Sequence, residues 1–152
     1  MTLEVTEWLS DTEQALWRRL LAVQRRMREK LDRDLQEGHG LSFGDYDVLV
    51  HLAEAPGQSL RMSDLADRLL LSRSGLTRRV DGLVRHGLVA RRACPADGRG
   101  LLAELTETGA EALQTAAPTH VAGVRRYLID PIGAPEGLSE GLARIERALD
   151  RG

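Results

Sequence analysis

The chain has 152 residues, 42% of them hydrophobic and 29% charged, which suits one globular domain with an adequate core. No apolar run approaches a membrane span, Thr2-Leu3-Glu4-Val5 lacks the basic and apolar regions of a secretory leader, and the lone Cys94 excludes an internal disulfide framework, so a cytoplasmic protein is expected. The net charge of −2 is uneven: residues 59–105 carry nine arginines and five acids, a balance of +4, while the rest carries twelve basic and eighteen acidic residues, −6. A basic segment in an acidic frame is the electrostatic footprint of a nucleic-acid contact.

Ser10-Asp11-Thr12-Glu13 forms a capping box that opens a long helix, to about residue 37. Leu16, Leu20, Val23, Met27, Leu31 and Leu35 make its apolar stripe, and Gly38-His39-Gly40 stops it. Such a helix is too long to lie wholly on one small core. Its outer part needs another partner, and a second copy of the chain is the simplest. Ser42-Phe43-Gly44-Asp45 starts the next helix, with Tyr46, Val48, Leu49, Leu52 and Ala53 facing inward, and Ala55-Pro56-Gly57 ends it. Ser59-Leu60-Arg61 reads as a short strand.

Met62, Leu65, Ala66 and Leu69 then share one face of a short helix. Leu76, Val80, Leu83 and Val84 follow at i, i+4, i+7 and i+8 of a longer one, with Ser72 as N-cap and Gly87 as the stop. Two apolar runs, 88–93 and 101–105, flank Pro95-Ala96-Asp97-Gly98-Arg99-Gly100 and predict a β-hairpin. Thr106 caps a further helix through Leu113, Ala116, Val121, Val124 and Leu128, with a bend expected near Pro118. A turn-rich link is predicted over 131–135. Leu138, Leu142, Ile145 and Leu149 give the last helix a coiled-coil-like seam.

Helix, tight turn, helix, hairpin is the order of a winged helix-turn-helix. The expected fold is mainly α with a small β-wing: one domain over 1–152, a DNA-binding lobe at 42–105, and a helical dimerisation layer from 10–37 and 107–150. Opposite the apolar stripe of the second short-turn helix lie Arg73, Ser74, Thr77, Arg78 and Asp81. Arginine can pair bidentately with guanine, and hydroxyls can reach phosphates or base edges; a merely solvated polar face would have the same spacing. Arg99 at the hairpin tip suits a narrow minor groove, with Asp97 and Gly98 shaping the wing. Arg61 and Arg79 are candidate phosphate contacts. Two copies about a two-fold axis would set two such helices in successive major grooves about 34 Å apart, on double-stranded DNA with an inverted repeat.

The order Leu60-Arg61-Met62-Ser63-Asp64-Leu65-Ala66, Ser72-Arg73-Ser74, Thr77-Arg78, Val80-Asp81, Gly87-Leu88-Val89, Asp97-Gly98-Arg99-Gly100 and Leu105-Thr106-x-x-Gly109 resembles the MarR (multiple antibiotic resistance regulator) family. Gly75, in the first turn of the recognition helix, departs from it. The resemblance implies a homodimeric transcription regulator, a repressor released from DNA by a small aromatic or phenolic acid held between the dimer helices and the DNA-binding lobe. Candidate lining residues are Trp17 and Leu21 on the first helix and Tyr46, Val50 and His51 on the second, with Arg18, Arg25 or Arg28 meeting a carboxylate. Trp17 and Tyr46 can equally be core residues where helices cross.

Two alternatives stay open at this point: a switch through oxidation of Cys94, its thiol acidified by nearby arginines, and a winged-helix module for protein partners without DNA. His39, His51, His86 and His120 have no metal-ligand spacing, and neither a phosphate-cradling glycine loop nor a nucleophile elbow is present, so no metal, no cofactor and no enzymatic activity is expected.

Overall fold

In the computed structural model, which describes residues 7–94 and 100–151, helix α1 spans Asp11–His39. The capping box is complete: the Glu13 N–H donates to Ser10 Oγ at 3.3 Å, and the Ser10 N–H donates to Glu13 Oε2 at 2.8 Å. Ser10 thereby holds the Glu13 carboxyl below its ordinary pKa. The helix passes through Gly38 and ends at His39, two residues later than expected, where Gly40 caps it with a φ of 66°. Helix α2 (Phe43–Glu54) starts at the Ser42 cap and is tied to α1 by the Phe43 N–H, which donates to Asp32 Oδ1 at 2.7 Å.

Strand β1 (Ser59–Arg61), helix α3 (Met62–Arg68), helix α4 (Arg73–Arg85) and strands β2 (Val89–Ala93) and β3 (Leu101–Leu105) follow. The sheet is antiparallel in the order β1-β3-β2, with Ala103 of β3 opposite both Leu60 and Arg91. The core lies between this sheet and α2 to α4: Val48, Leu49, Leu52, Leu65, Leu76, Val80, Val89 and Ala103 are fully or almost fully buried. Burying each of the large side chains is worth about 1.5–3 kcal/mol.

The Thr106-x-x-Gly109 pattern locks the wing to the helix that follows, α5 (Glu107–Val124). Thr106 Oγ1 donates to the Gly87 carbonyl at 2.6 Å and accepts from the Gly109 N–H at 3.0 Å. Gly109 is required by space, because a Cβ there would run into the carbonyl oxygen of Leu88. Gly123 likewise brings α5 close to α1, since an added Cβ would lie 2.7 Å from Leu31 Cδ2. His39 Nε2 to Thr119 Oγ1 and Tyr127 Oη to Asp34 Oδ2, both 2.8 Å, complete that contact.

The C-terminal region departs from expectation. α5 continues through Pro118, and the irregular stretch lies further on, a wide π turn at Arg125–Ile129 where the Asp130 N–H donates to the Arg125 carbonyl. Pro131 does not begin a link. It falls in the first turn of the short helix α6 (Asp130–Ile132), where proline is tolerated, and the link is only Gly133 to Pro135. Helix α7 (Glu136–Leu149) carries the expected seam but buries none of its residues. The amino-terminal half of α1 is similarly bare: Leu16, Trp17, Leu20, Leu21 and Val23 are exposed, whereas Leu31 and Leu35 are buried.

Candidate nucleic-acid interface

Ser72 sets the geometry of α4, because its Oγ accepts from the Gly75 N–H at 3.1 Å and lies 3.3 Å from Ser74 Oγ. The first two turns then present Arg73, Ser74, Thr77 and Arg78, all exposed, while Leu76, Val80 and Leu83 face the core. Thr77 Oγ1 donates back to the Arg73 carbonyl at 2.8 Å, which fixes the threonine rotamer. Arg73 and Thr77 border a cleft of about 340 Å³ that is completed by Arg61, Met62 and Ser63 at the start of α3 and by Gly100 and Leu101 at the wing base. Arg61, Ser63, Arg73 and Thr77 therefore border one cleft between the helix and the wing, residue types suited to phosphate oxygens.

Arg79 goes elsewhere. Its Nη1 pairs with Asp45 Oδ1 at 3.0 Å and donates to Ser42 Oγ at 3.2 Å, over the first turn of α2. Gly44 leaves room for it, since a Cβ would collide with the guanidinium. Arg79 thus holds α4 against α2. Asp81, on the polar face of α4, is neutralised by Arg91 of β2, whose other terminal nitrogen donates to the Thr77 carbonyl at 3.3 Å. This tie between wing and recognition helix was not anticipated. Its signal lay in strand alternation: two residues after buried Val89, Arg91 sits on the inner face and needs an acidic partner. Arg92 alternates outward and pairs with Glu104 at 2.7 Å.

The wing-tip residues Asp97, Gly98 and Arg99 lie outside the described residues. Cys94 is buried at the wing base, its N–H donating to the Gly100 carbonyl at 2.8 Å. That burial removes the access a redox-sensing thiol needs.

The five candidate ligand residues fall into two groups. Trp17 and Leu21 are on the bare half of α1, and Tyr46, Val50 and His51 are on α2. From Trp17 to Asp32, where α2 joins α1, is about 22 Å along the helix, so one chain does not bring the groups together. Tyr46 is buried, which raises its phenol pKa, and its ring lies 4.6 Å from that of His120. Phe43 covers His120 at 6.1 Å, and the Arg28 guanidinium lies 5.2 Å from the Phe43 centroid. His120 Nδ1 has no hydrogen-bond partner among the described residues. Desolvation pushes the imidazole pKa down, against an upward pull from Asp47. Spacing alone did not mark His120, because its partners come from a helix more than sixty residues away.

Among the described residues no three His, Cys, Asp or Glu side chains gather as metal ligands, and no helix is long and apolar enough to cross a membrane. The helix pair with its antiparallel hairpin is a winged helix-turn-helix. Residues 39–100 match the model of the MarR family. The chain is 44% identical to AbsC, a MarR family transcriptional regulator from Streptomyces coelicolor, over 97% of this chain and 100% of that one, with a TM-score of 0.88. It is 37% identical to Sco3205, a MarR family transcriptional regulator from the same organism solved in complex with DNA, over 99% and 92% of the two chains, also at a TM-score of 0.88. Over 83 residues it is 36% identical to the HTH-type transcriptional repressor YetL of Bacillus subtilis, 55% of this chain and 50% of that protein, so the match spans about half of that curated relative. The chain belongs to the MarR family, whose members are non-enzymatic DNA-binding transcription regulators.

Proposed function

We propose that the chain is a homodimeric, sequence-specific transcription regulator, a repressor of an inverted-repeat operator. The observation that carries this reading is the α4 face. Arg73, Ser74, Thr77 and Arg78 stand free of the core at the end of a capped helix, beside a cleft shared with Arg61 and the wing base. In this reading α4 enters the major groove, Arg61 meets the backbone and Arg99 follows the minor groove. Arg79 serves by holding α4 in place, through Asp45. The crystallisation of Sco3205 with DNA supports the same use of the fold here.

The bare apolar faces of α1 and α7 support the dimer. A second copy laid on them gives two recognition helices one two-fold axis. The effector is a small aromatic or phenolic acid, lodged between the helical layer and the winged lobe with Trp17, Leu21, Tyr46, Val50 and His51 as its lining. Trp17 and Leu21 lie on the half of α1 that a second copy covers, so that seat depends on the dimer. The protein works in the cytoplasm.

Selection from a random duplex library followed by a salt titration tests this function. Enrichment of an inverted repeat with half-sites about one helical turn apart is expected. Affinity should fall about 10³–10⁵-fold between 50 and 200 mM salt if six to ten phosphates are engaged. Weak, sequence-independent binding at every salt concentration would contradict it and turn attention to a protein partner. An operator once in hand also serves to screen aromatic acids for release.

A further inference from the structure

Helices α3 and α4 end in the same turn, built from different residues. At the end of α4 the Gly87 N–H donates to the Val84 carbonyl and the Leu88 N–H to the Leu83 carbonyl, both at 3.0 Å, with Gly87 at φ 72°. At the end of α3 the Leu70 N–H donates to the Asp67 carbonyl at 3.2 Å and the Leu71 N–H to the Ala66 carbonyl at 3.0 Å, with Leu70 at φ 52°. Both are Schellman turns, and both need a left-handed residue at the same place. Glycine meets that need without strain, whereas a leucine Cβ crowds the backbone.

Burial within the chain does not compensate Leu70. Its side chain is 92% exposed, although its neighbours Leu69 and Leu71 pack on the core. Next to it in the chain stand Asp67, Arg68, Ser72, Arg73 and Ser74, all exposed and all polar or charged, with two arginines against one acid. Leu70 is thus the one apolar side chain in the stretch from Arg68 to Ser74 that points away from the core, three residues before Arg73. Strain of this kind persists where the surrounding structure holds it, and it clusters at sites that meet a ligand.

We propose that Leu70 is a DNA-contacting residue, packing its side chain on the apolar surface of the groove wall beside the recognition helix. This rests on the DNA-binding reading of α4. The charge of its neighbours and its continuity with Arg73 and Ser74 favour DNA over a protein partner. A leucine neither donates nor accepts a hydrogen bond, so the surfaces it fits are a thymine 5-methyl or the face of a deoxyribose.

The test uses the full chain, the selected operator and the variants Leu70→Gly, Leu70→Asn and Arg73→Ala. Leu70→Gly and Leu70→Asn should raise the thermal midpoint, by about 2–4 °C for glycine. They should also weaken operator binding by about threefold to tenfold, with the salt slope unchanged because no charge is lost. Uracil in place of thymine separates the two surfaces. Loss of wild-type affinity to the level of Leu70→Gly assigns the methyl group, and an unchanged wild-type affinity assigns the sugar. A higher midpoint with unaltered binding overturns the proposal, as does a lower midpoint, which would make Leu70 a residue of the fold. Altered dimer dissociation without altered operator binding overturns it in favour of a second copy. If Arg73→Ala binds the operator as well as wild type, the DNA reading of α4 itself fails, and Leu70 with it.

Discussion

In the winged lobe Leu65, Leu76 and Leu83 are at most 3% exposed, whereas Leu138, Leu142 and Ile145 of α7 and Leu16 and Leu20 of α1 are 42–67% exposed. Both sets follow helical spacing, and both belong to amphipathic helices. The lobe closes its stripe against its own sheet and α2. Among the described residues, α7 and the amino-terminal half of α1 bury none of their stripe, whereas the other half of α1 closes on α5. Periodicity therefore tells which face seeks cover, and only the fold tells whether one chain supplies it. In the proposed function the lobe would make the contact with DNA, and the outer helices would supply the two-fold symmetry that doubles it.

The largest expected effect comes from breaking the outer helices. Leu138→Asp with Leu142→Asp should yield a monomer by sedimentation and weaken operator binding by about 100-fold or more, because each half-site is then bound without the other. The lobe should stay folded, as judged by circular dichroism. Next in size is damage to the lobe. Gly109→Ala pushes a methyl group into the Leu88 carbonyl and should lower stability by about 2 kcal/mol in denaturant unfolding, with the bare faces of α1 and α7 untouched.

Smaller again is the contrast between two arginines of α4. Arg73→Ala should reduce the slope of log affinity against log salt by about one phosphate contact. Arg79→Ala should leave that slope alone and reduce stability by about 1 kcal/mol, since its part-buried pair with Asp45 is partly screened. The smallest effect is on pH dependence. Burial lowers the His120 pKa in the folded chain, so below the ordinary histidine pKa the unfolded chain takes up a proton that the native state refuses. Stability should fall as pH drops from 7 toward 5, and His120→Gln should flatten that fall; an identical decline in the variant would remove His120 from the account.

Much of the fold was legible because local chemistry and period agreed. Ser10 with Glu13, Ser42, Ser72 and Thr106 each start a helix, and two apolar runs around a turn-rich stretch gave the wing. The C-terminal link was misplaced because Pro131 follows a π turn, and proline in a first turn does not break a helix. The free arginines of α4 were legible from their place opposite the stripe. Arg79 was read as a phosphate contact, although it lies three residues after Leu76 and four before Leu83, at the stripe's own edge. A guanidinium there turns to the nearest carboxylate, Asp45, and that carboxylate arrives from another helix. The partners of Arg91 and His120 likewise come from distant segments, which no local pattern reports.

The most direct test of the account is the mass of the complex with a duplex carrying the selected operator, measured by sedimentation with one half-site intact or scrambled. The account predicts two chains per duplex and a large loss of affinity when either half-site is scrambled. One chain per duplex, with affinity indifferent to the second half-site, would contradict it.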